Sequence, residues 1–489
     1  MNNTLLDLAN NNVFHHFGGV MIMLLAGITA FLANKHIAVF NDGVRPLVGQ
    51  ARQGNLKYKA LAGMSFAMSI GYVVGFIPFS LVSNILILHT VLLGSEMIGL
   101  VIKKGKMQSI IAGVIAMAFG AALFWGLSGL NVAITKTTYQ GFGFDLGMIV
   151  DGAFPFIFSM FPAIAVFIQS GWKRGLVTIL VAVTTYILVS LFGWNQAHLY
   201  PMAITLLVGS AMLFGFALWD YFSAKRKSSK EETQDKKEIV KSRKFAMFND
   251  NAAVIAKNKW YLVISGAIAS MVVASFASAP LVSMALQTTT NKAGDITSAI
   301  IADTTWVIGF IPLVVLTALL TGVYSPVGVT AVFVWGDLAK IIGASIVAKT
   351  NNQNMYFIAI ALAGVFGGVS MFAETYLLKS IAVLLTRVPG IQKISDSMRS
   401  AITKTINYAF LIGGIIAAFI MGQHVGAHIS GSSTAMAGLA FWLPSMGAGI
   451  VILLLIINKI SKKKMADIAI GPMGAIIVGI LFNIIYFIA

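Results

Sequence analysis

The chain has 489 residues, of which 58% are hydrophobic and only 10% charged, against about 25% charged in a soluble domain; this excludes a conventional water-soluble globule. A formal net charge of +17 on a soluble protein would point to nucleic acid. Here Lys and Arg sit in short runs between apolar stretches, the pattern of cytoplasmic loops, so no nucleic-acid partner is expected and the lipid bilayer is. The absence of Cys rules out disulfides, thiolate metal sites and Cys nucleophiles within this sequence.

The apolar runs approach the roughly 20 residues that a spanning helix needs and lack the period-2 alternation of a barrel. An all-α polytopic membrane protein is therefore expected. Residues 1–17 contain no Lys or Arg, and positive charge follows the first apolar run at Lys35, Arg45, Arg52, Lys57 and Lys59. No cleavable signal peptide is expected, and the order predicts an outside N-terminus in a bacterial inner membrane. Spans are predicted at 18–34, 60–82, 83–102, 107–131, 147–168, 175–194 and 200–222. After a charged stretch come 260–282, 298–322, 326–348, 355–378, 405–423, 434–458 and 467–488. Alternating these fourteen from the outside leaves only Lys136, Lys292, Lys340 and Lys349 away from the inside loops. Twelve crossings with one re-entrant hairpin satisfy the same rule.

The hydrophilic stretch divides the chain into a first half (1–222), a charged cytoplasmic linker (223–259) and a second half (260–489). The linker reads as a flexible or weakly helical tether. Seven spans on each side make the second half inverted relative to the first. An echo supports a repeat: Gly75-Phe76-Ile77-Pro78 and Gly309-Phe310-Ile311-Pro312 each lie in the second span of their half. Pro78 and Pro312 mark candidate broken helices, or ordinary kinks, because Pro removes a helical backbone bond. Inverted repeats with a midplane site recur in secondary transporters.

Ionisable groups at membrane depth are functional candidates by default. Glu96 and Asp337 lie in the third span of their halves, and Glu374 lies in a long apolar window. Asp337 is followed three residues later by Lys340 and so has a partner on its own helix face. Asp151 and Asp303 fall nearer span ends. The segment 34–50 is half apolar. It reads first as an interfacial amphipathic helix, or else as a segment dipping into the protein to present Asn41, Asp42 and Arg45. His89 is a lone His in a span. His424 and His428 have i, i+4 spacing without a third ligand, so no metal is expected. No Walker loop, His-Glu-x-x-His or nucleophile elbow is present, so no catalytic residue or cofactor is expected.

The sequence resembles the YhfT-type bacterial inner-membrane proteins in Ala38-Val39-Phe40-Asn41-Asp42-Gly43-Val44-Arg45-Pro46, Gly171-Trp172-Lys173, Ala318 to Tyr324, and Ser395 to Ala401. The resemblance implies a multi-spanning transport-like protein and brings no substrate or site residues. A fainter likeness, at the level of the repeat plan, is to the membrane components of ascorbate- and galactitol-type phosphotransferase systems, which implies an elevator-like homodimer. The expectation is thus a transporter of a small polar or anionic solute. The alternatives are a phosphotransferase-type permease working with soluble subunits and an integral membrane enzyme.

Overall fold

A computed structural model describes residues 4, 8, 11–66, 69, 86–134, 156–157, 159–193, 201–227, 234–275, 278–279, 311, 314–386, 391–432, 437–461 and 467–488. Pro78, Pro312, Asp151 and Asp303 lie outside them. Among the described residues the regular structure is helical apart from two two-residue strands. In chain order the elements are α1 (Asn12–Asn34), α2 (Arg45–Arg52), β1 (Leu86–Ile87), α3 (Leu88–Val101), α4 (Lys106–Ile134), α5 (Phe161–Ser170), α6 (Trp172–Leu188) and α7 (Pro201–Lys227). They continue as α8 (Gln234–Lys257), α9 (Lys259–Ala274), β2 (Ser278–Ala279), α10 (Ala331–Thr350), α11 (Tyr356–Thr386), α12 (Ile391–Ser432), α13 (Ala437–Ile460) and α14 (Asp467–Ile488). Residues 58–66 and 314–321 are also helical. Among the described residues, seven helices are long and apolar enough to cross a membrane, and five more apolar helices are shorter. This is a multi-pass membrane protein.

Local chemistry sets the ends. The Asn11 side chain accepts from Val13 N–H and caps α1, as Asn does at helix starts. Pro46 opens α2 and Pro162 opens α5, where a missing N–H costs nothing. Gly171, at φ +84°, separates α5 from α6 in a conformation that a side chain disfavours.

Packing sorts the described helices into two bundles. In the first, α1 lies against α3 and α4, α9 lies against α10 and α11, and α1 lies against α9. In the second, α5 packs on α6 and α7, α12 packs on α13 and α14, and α5 meets α12. Each bundle therefore takes three helices from each side of the charged linker, in one repeating pattern. The close contacts repeat as well. Gly27 faces the Gly113 backbone as Gly266 faces that of Gly367, and Gly99 abuts the Ala30 carbonyl as Gly336 abuts that of Ser270. Small residues let helices approach where lipid offers no hydrophobic drive. In the second bundle, Gly414, Gly422 and Gly426 of α12 bring in the backbones of α14 and α13 in the same way.

Directions follow from these pairs. Asn34, at the end of α1, donates to the carbonyls of Gly99 and Ile102 at the end of α3 (2.9 and 2.6 Å) and accepts from Ser109 Oγ of α4 (2.8 Å). Thus α1 and α3 run together and α4 returns. In the same way Ser265 and Ser270 of α9 donate to Pro326 and Val332 in ascending order, so α9 and α10 run together. Helix α9 passes α1 in the opposite direction: Tyr261 lies by Phe31 and Lys35, and Ala274 lies in one apolar cluster with Phe14. The α1 window is 61% buried and the α6 and α13 windows only 22% each, so α1 lies inside its bundle and the other two face outward.

Two departures from the sequence reading stand out. The linker is not a simple tether over its second part: α8 is a helix that buries Phe248, Ala252 and Ile255. Residues 391–404, expected as loop, form the first turns of the 42-residue α12.

Candidate functional site

Between α1 and α2 the chain turns back into the first bundle. Asn34 sits beside the end of α3, yet Phe40 and Asn41 reach Glu96 further up the same helix. Ala38, Val39, Val44 and Arg45 are at most 1% exposed. The interfacial-helix reading of 34–50 is therefore replaced by the dip; only Arg45–Arg52 is helical there. The return starts at His36, which takes φ +59°.

Irregular backbone away from water must find partners for its N–H and C=O groups. Val39 N–H donates to the Tyr324 carbonyl (2.8 Å) and Tyr324 N–H donates to that of Ile37 (3.0 Å). These bonds form a parallel bridge between Ala38 and Tyr324. Phe40 and Asn41 N–H both donate to Glu96 Oε2 (2.6 and 3.1 Å). The carbonyls go to Arg45: Nε donates to Val39 (2.7 Å) and Nη2 to Phe40 (3.1 Å). Asn41 Oδ1 accepts from Gly43 N–H (2.9 Å), an Asx turn, and the Asn41 carbonyl starts α2 by accepting from Val44 and Arg45. One carboxylate thus gathers the loop's donors and one guanidinium its acceptors. Asp42 lies 2.9 Å from Arg45 Nη1, not aligned for a hydrogen bond, with its side chain 25% exposed.

The second loop, 322–330, mirrors this device. Tyr324 Oη and Val329 N–H donate to Glu374 Oε2 (2.6 and 3.0 Å), and Ser370 Oγ donates to Oε1 (3.2 Å). Gly328 adopts φ +59°, and a Cβ there would collide with Glu374. Arg52 closes the helix before the loop by donating to the Gly322 and Thr321 carbonyls (2.6 and 3.3 Å) and to Asn251 of α8 (3.2 Å). The two loops meet by exchange: the segment after α1 pairs with that before α10, and β2, after α9, pairs with β1, before α3.

Of the carboxylates singled out in the sequence, the structure brings Glu96 and Glu374 to the two joined loops together with Asn41, Asp42 and Arg45. Asp337 stays apart, paired with Lys340 at 2.8 Å. Nor is Asp337 the counterpart of Glu96: it follows Gly336, whereas Glu96 precedes the matching Gly99 by a turn. His89 stacks edge-on against Phe40 (5.0 Å between ring centres). His424 and His428 are exposed on α12, and among the described residues no group of three metal-ligating side chains gathers. His36, beyond the end of α1, is pushed down to about 4 by burial, then by the charges of Lys104 and Arg52. Tyr324, Arg52, Ser370 and Asn251 were not singled out in the sequence. A turn-forming Gly322 to Gly328 segment with a lone Tyr was the available signal for the first of them.

A family model described as "YhfT: Protein of unknown function" matches residues 19–434 and 429–489. The chain belongs to the YhfT family. A YhfT relative, "Uncharacterized protein YhfT" of Escherichia coli (strain K12), is 28% identical over 482 residues, covering 96% of each chain. Neither match names a phosphotransferase component, and no solved structure matches.

Proposed function

We propose that this YhfT-family protein is a secondary transporter of a small polar or anionic solute in which one bundle moves against the other. The observation that carries the reading is the junction at Ala38 and Tyr324. Non-helical backbone at membrane depth is tolerated only where protein buries it or a cavity is lined by it. Broken segments from two repeats, meeting near the midplane, build the sites of many transporters. Here one such segment comes from each half, and both hang on buried carboxylates.

The halves are read as inverted repeats. The repeated packing, the opposite courses of α1 and α9, and the exchanged strand pairs support this reading. The first bundle, with Asn41, Asp42, Arg45, Glu96 and Glu374, is the moving element. The second, with its long α12, is the scaffold through which an elevator-like homodimer forms. Lys35, Arg52, Lys104 and Lys259 gather at one end of the first bundle, which supports reading that end as cytoplasmic and the N-terminus as outside the inner membrane.

The absence of Cys makes orientation directly testable. In intact cells, membrane-impermeant maleimide labels K349C and spares K57C, and permeabilisation exposes K57C. Labelling of both from one face refutes the inverted arrangement. For transport, folded full-length protein in proteoliposomes accumulates at least one member of a panel of labelled sugars, carboxylates and amino acids. Flux of none, under proton and sodium gradients, overturns the transport reading.

A further inference from the structure

Glu96 and Glu374 are both buried and both accept backbone N–H groups, but their surroundings differ. Glu374 has both oxygens closed by good donors, at 2.6, 3.0 and 3.2 Å. Glu96 concentrates its bonds on Oε2. Among the described residues its Oε1 meets only Ser69 Oγ at 3.4 Å, and that hydroxyl in turn is approached by Asn41 Nδ2 at 3.5 Å. All three donors to Glu96 are neutral. Arg45, the nearby cation, is committed to the Val39 and Phe40 carbonyls and to Asp42. Among the described residues no Lys or Arg lies within ion-pair distance of Glu96.

A buried carboxylate with no cation in ion-pair contact, the nearby Arg45 being held by other partners, carries a large desolvation cost, which binding a proton removes. Intramembrane acids of this kind serve as proton relays. We propose that Glu96 is a proton-binding site and the group through which solute movement is coupled to the proton gradient. The coupling role rests on the transport reading; the proton site does not.

The step is a simple protonation. A proton from water adds to Oε1, which becomes a hydroxyl and donates to Ser69 Oγ, while Oε2 keeps both N–H bonds. The loop therefore survives either state. The path from water is short: Asp42, a quarter exposed, adjoins Asn41, and Asn41 reaches both Ser69 and Glu96. The titratable or charged groups on the surrounding elements are His89 on α3, Asp42 and Arg45 in the loop, and Tyr58 and Lys59 ahead of Ser69. Lys106 opens α4, and Tyr324 lies across the bridge.

The test uses the full chain in lipid with the proton itself as ligand. Stepping pH from about 5 to 9 in infrared difference spectroscopy is expected to show a protonated-carboxyl band that titrates, vanishes in E96Q and persists in E374Q. Gln keeps a carbonyl for the Phe40 and Asn41 N–H groups, so E96Q is expected to fold. Should it aggregate, Ser69→Ala serves instead: losing its partner, the band moves to higher frequency. A wild type without a titrating band, a band unchanged in E96Q, or one unmoved in S69A overturns the proposal. Solute uptake indifferent to collapse of the proton gradient removes the coupling role and leaves transport standing. A titrating band without uptake of any solute leaves the proton site and removes transport.

Discussion

Arg45→Lys tests the central claim about the junction, that one guanidinium shapes the first loop. Arg45 is 1% exposed and donates to two carbonyls at 2.7 and 3.1 Å. A Lys ammonium is a single point on a flexible stem and cannot reproduce the planar fork, so at least one carbonyl is left buried without a donor. Hydrogen bonds to charged groups contribute about 1.5–3 kcal/mol each, and an orphaned buried acceptor costs a similar amount. With one bond retained, the expected loss is about 2–4 kcal/mol, a shift of about 30- to 700-fold in the unfolding constant. Asp42→Asn removes only a partly exposed, poorly aligned partner, and about 0–1 kcal/mol is expected. Unfolding of the full chain in mixed micelles by increasing detergent denaturant, followed by Trp fluorescence, measures both. The reasoning is refuted if R45K lies within about 0.5 kcal/mol of wild type, or if D42N costs as much as R45K.

Tyr324→Phe deletes the donor 2.6 Å from Glu374, for about 1–3 kcal/mol. A double-mutant cycle with E374Q in the same unfolding assay should give a coupling of about 1 kcal/mol, and additivity would break the proposed bond. Gly99→Ala sets a Cβ against the Ala30 carbonyl and should cost about 1–3 kcal/mol. Gly449→Ala, whose Cβ would meet nothing within 4 Å, should leave the unfolding midpoint unchanged or raised. His36 falls from 6.5 to about 4 on burial, so folding favours its neutral form. Its contribution is complete above pH 6.5 and is lost as pH drops toward about 4, with stability falling on acidification through that window. His36→Asn, which tolerates the left-handed backbone, should flatten the slope of unfolding midpoint against pH there; an unchanged slope excludes His36 as its source.

The long spans were legible because hydropathy and the placement of Lys and Arg are properties of local sequence. Boundaries failed where helices outran their apolar windows. No Pro lies between Ile391 and Ser432, and Pro389-Gly390 precede them, so the charged stretch and the apolar span form one continuous helix. In α8 the spacing Phe248, Ala252, Ile255 is a helical i, i+4, i+7 stripe, readable in the sequence but overshadowed by the surrounding charge. Glu96 and Glu374 were recognisable as ionisable residues inside apolar spans, whereas Asn41 and Arg45 entered only through the second reading of 34–50. Tyr324 and Ser69 were not recognisable, because they meet these residues only through contacts set by the fold, whereas Ser370 stands four residues before Glu374 on one helix and was readable as an i, i+4 pair. Asp337 shows the converse: its local partner Lys340 was visible in the sequence and is the partner the structure gives it.

The interweaving of the first bundle bears on how the protein is made. When α1 to α4 leave the ribosome, the Val39 N–H has no acceptor until Tyr324 follows, and synthesis at about 5–20 residues per second makes that an interval of some tens of seconds. A half-built bundle therefore has to be sheltered during insertion. Separately expressed halves should each be degraded alone and rescue one another when produced together.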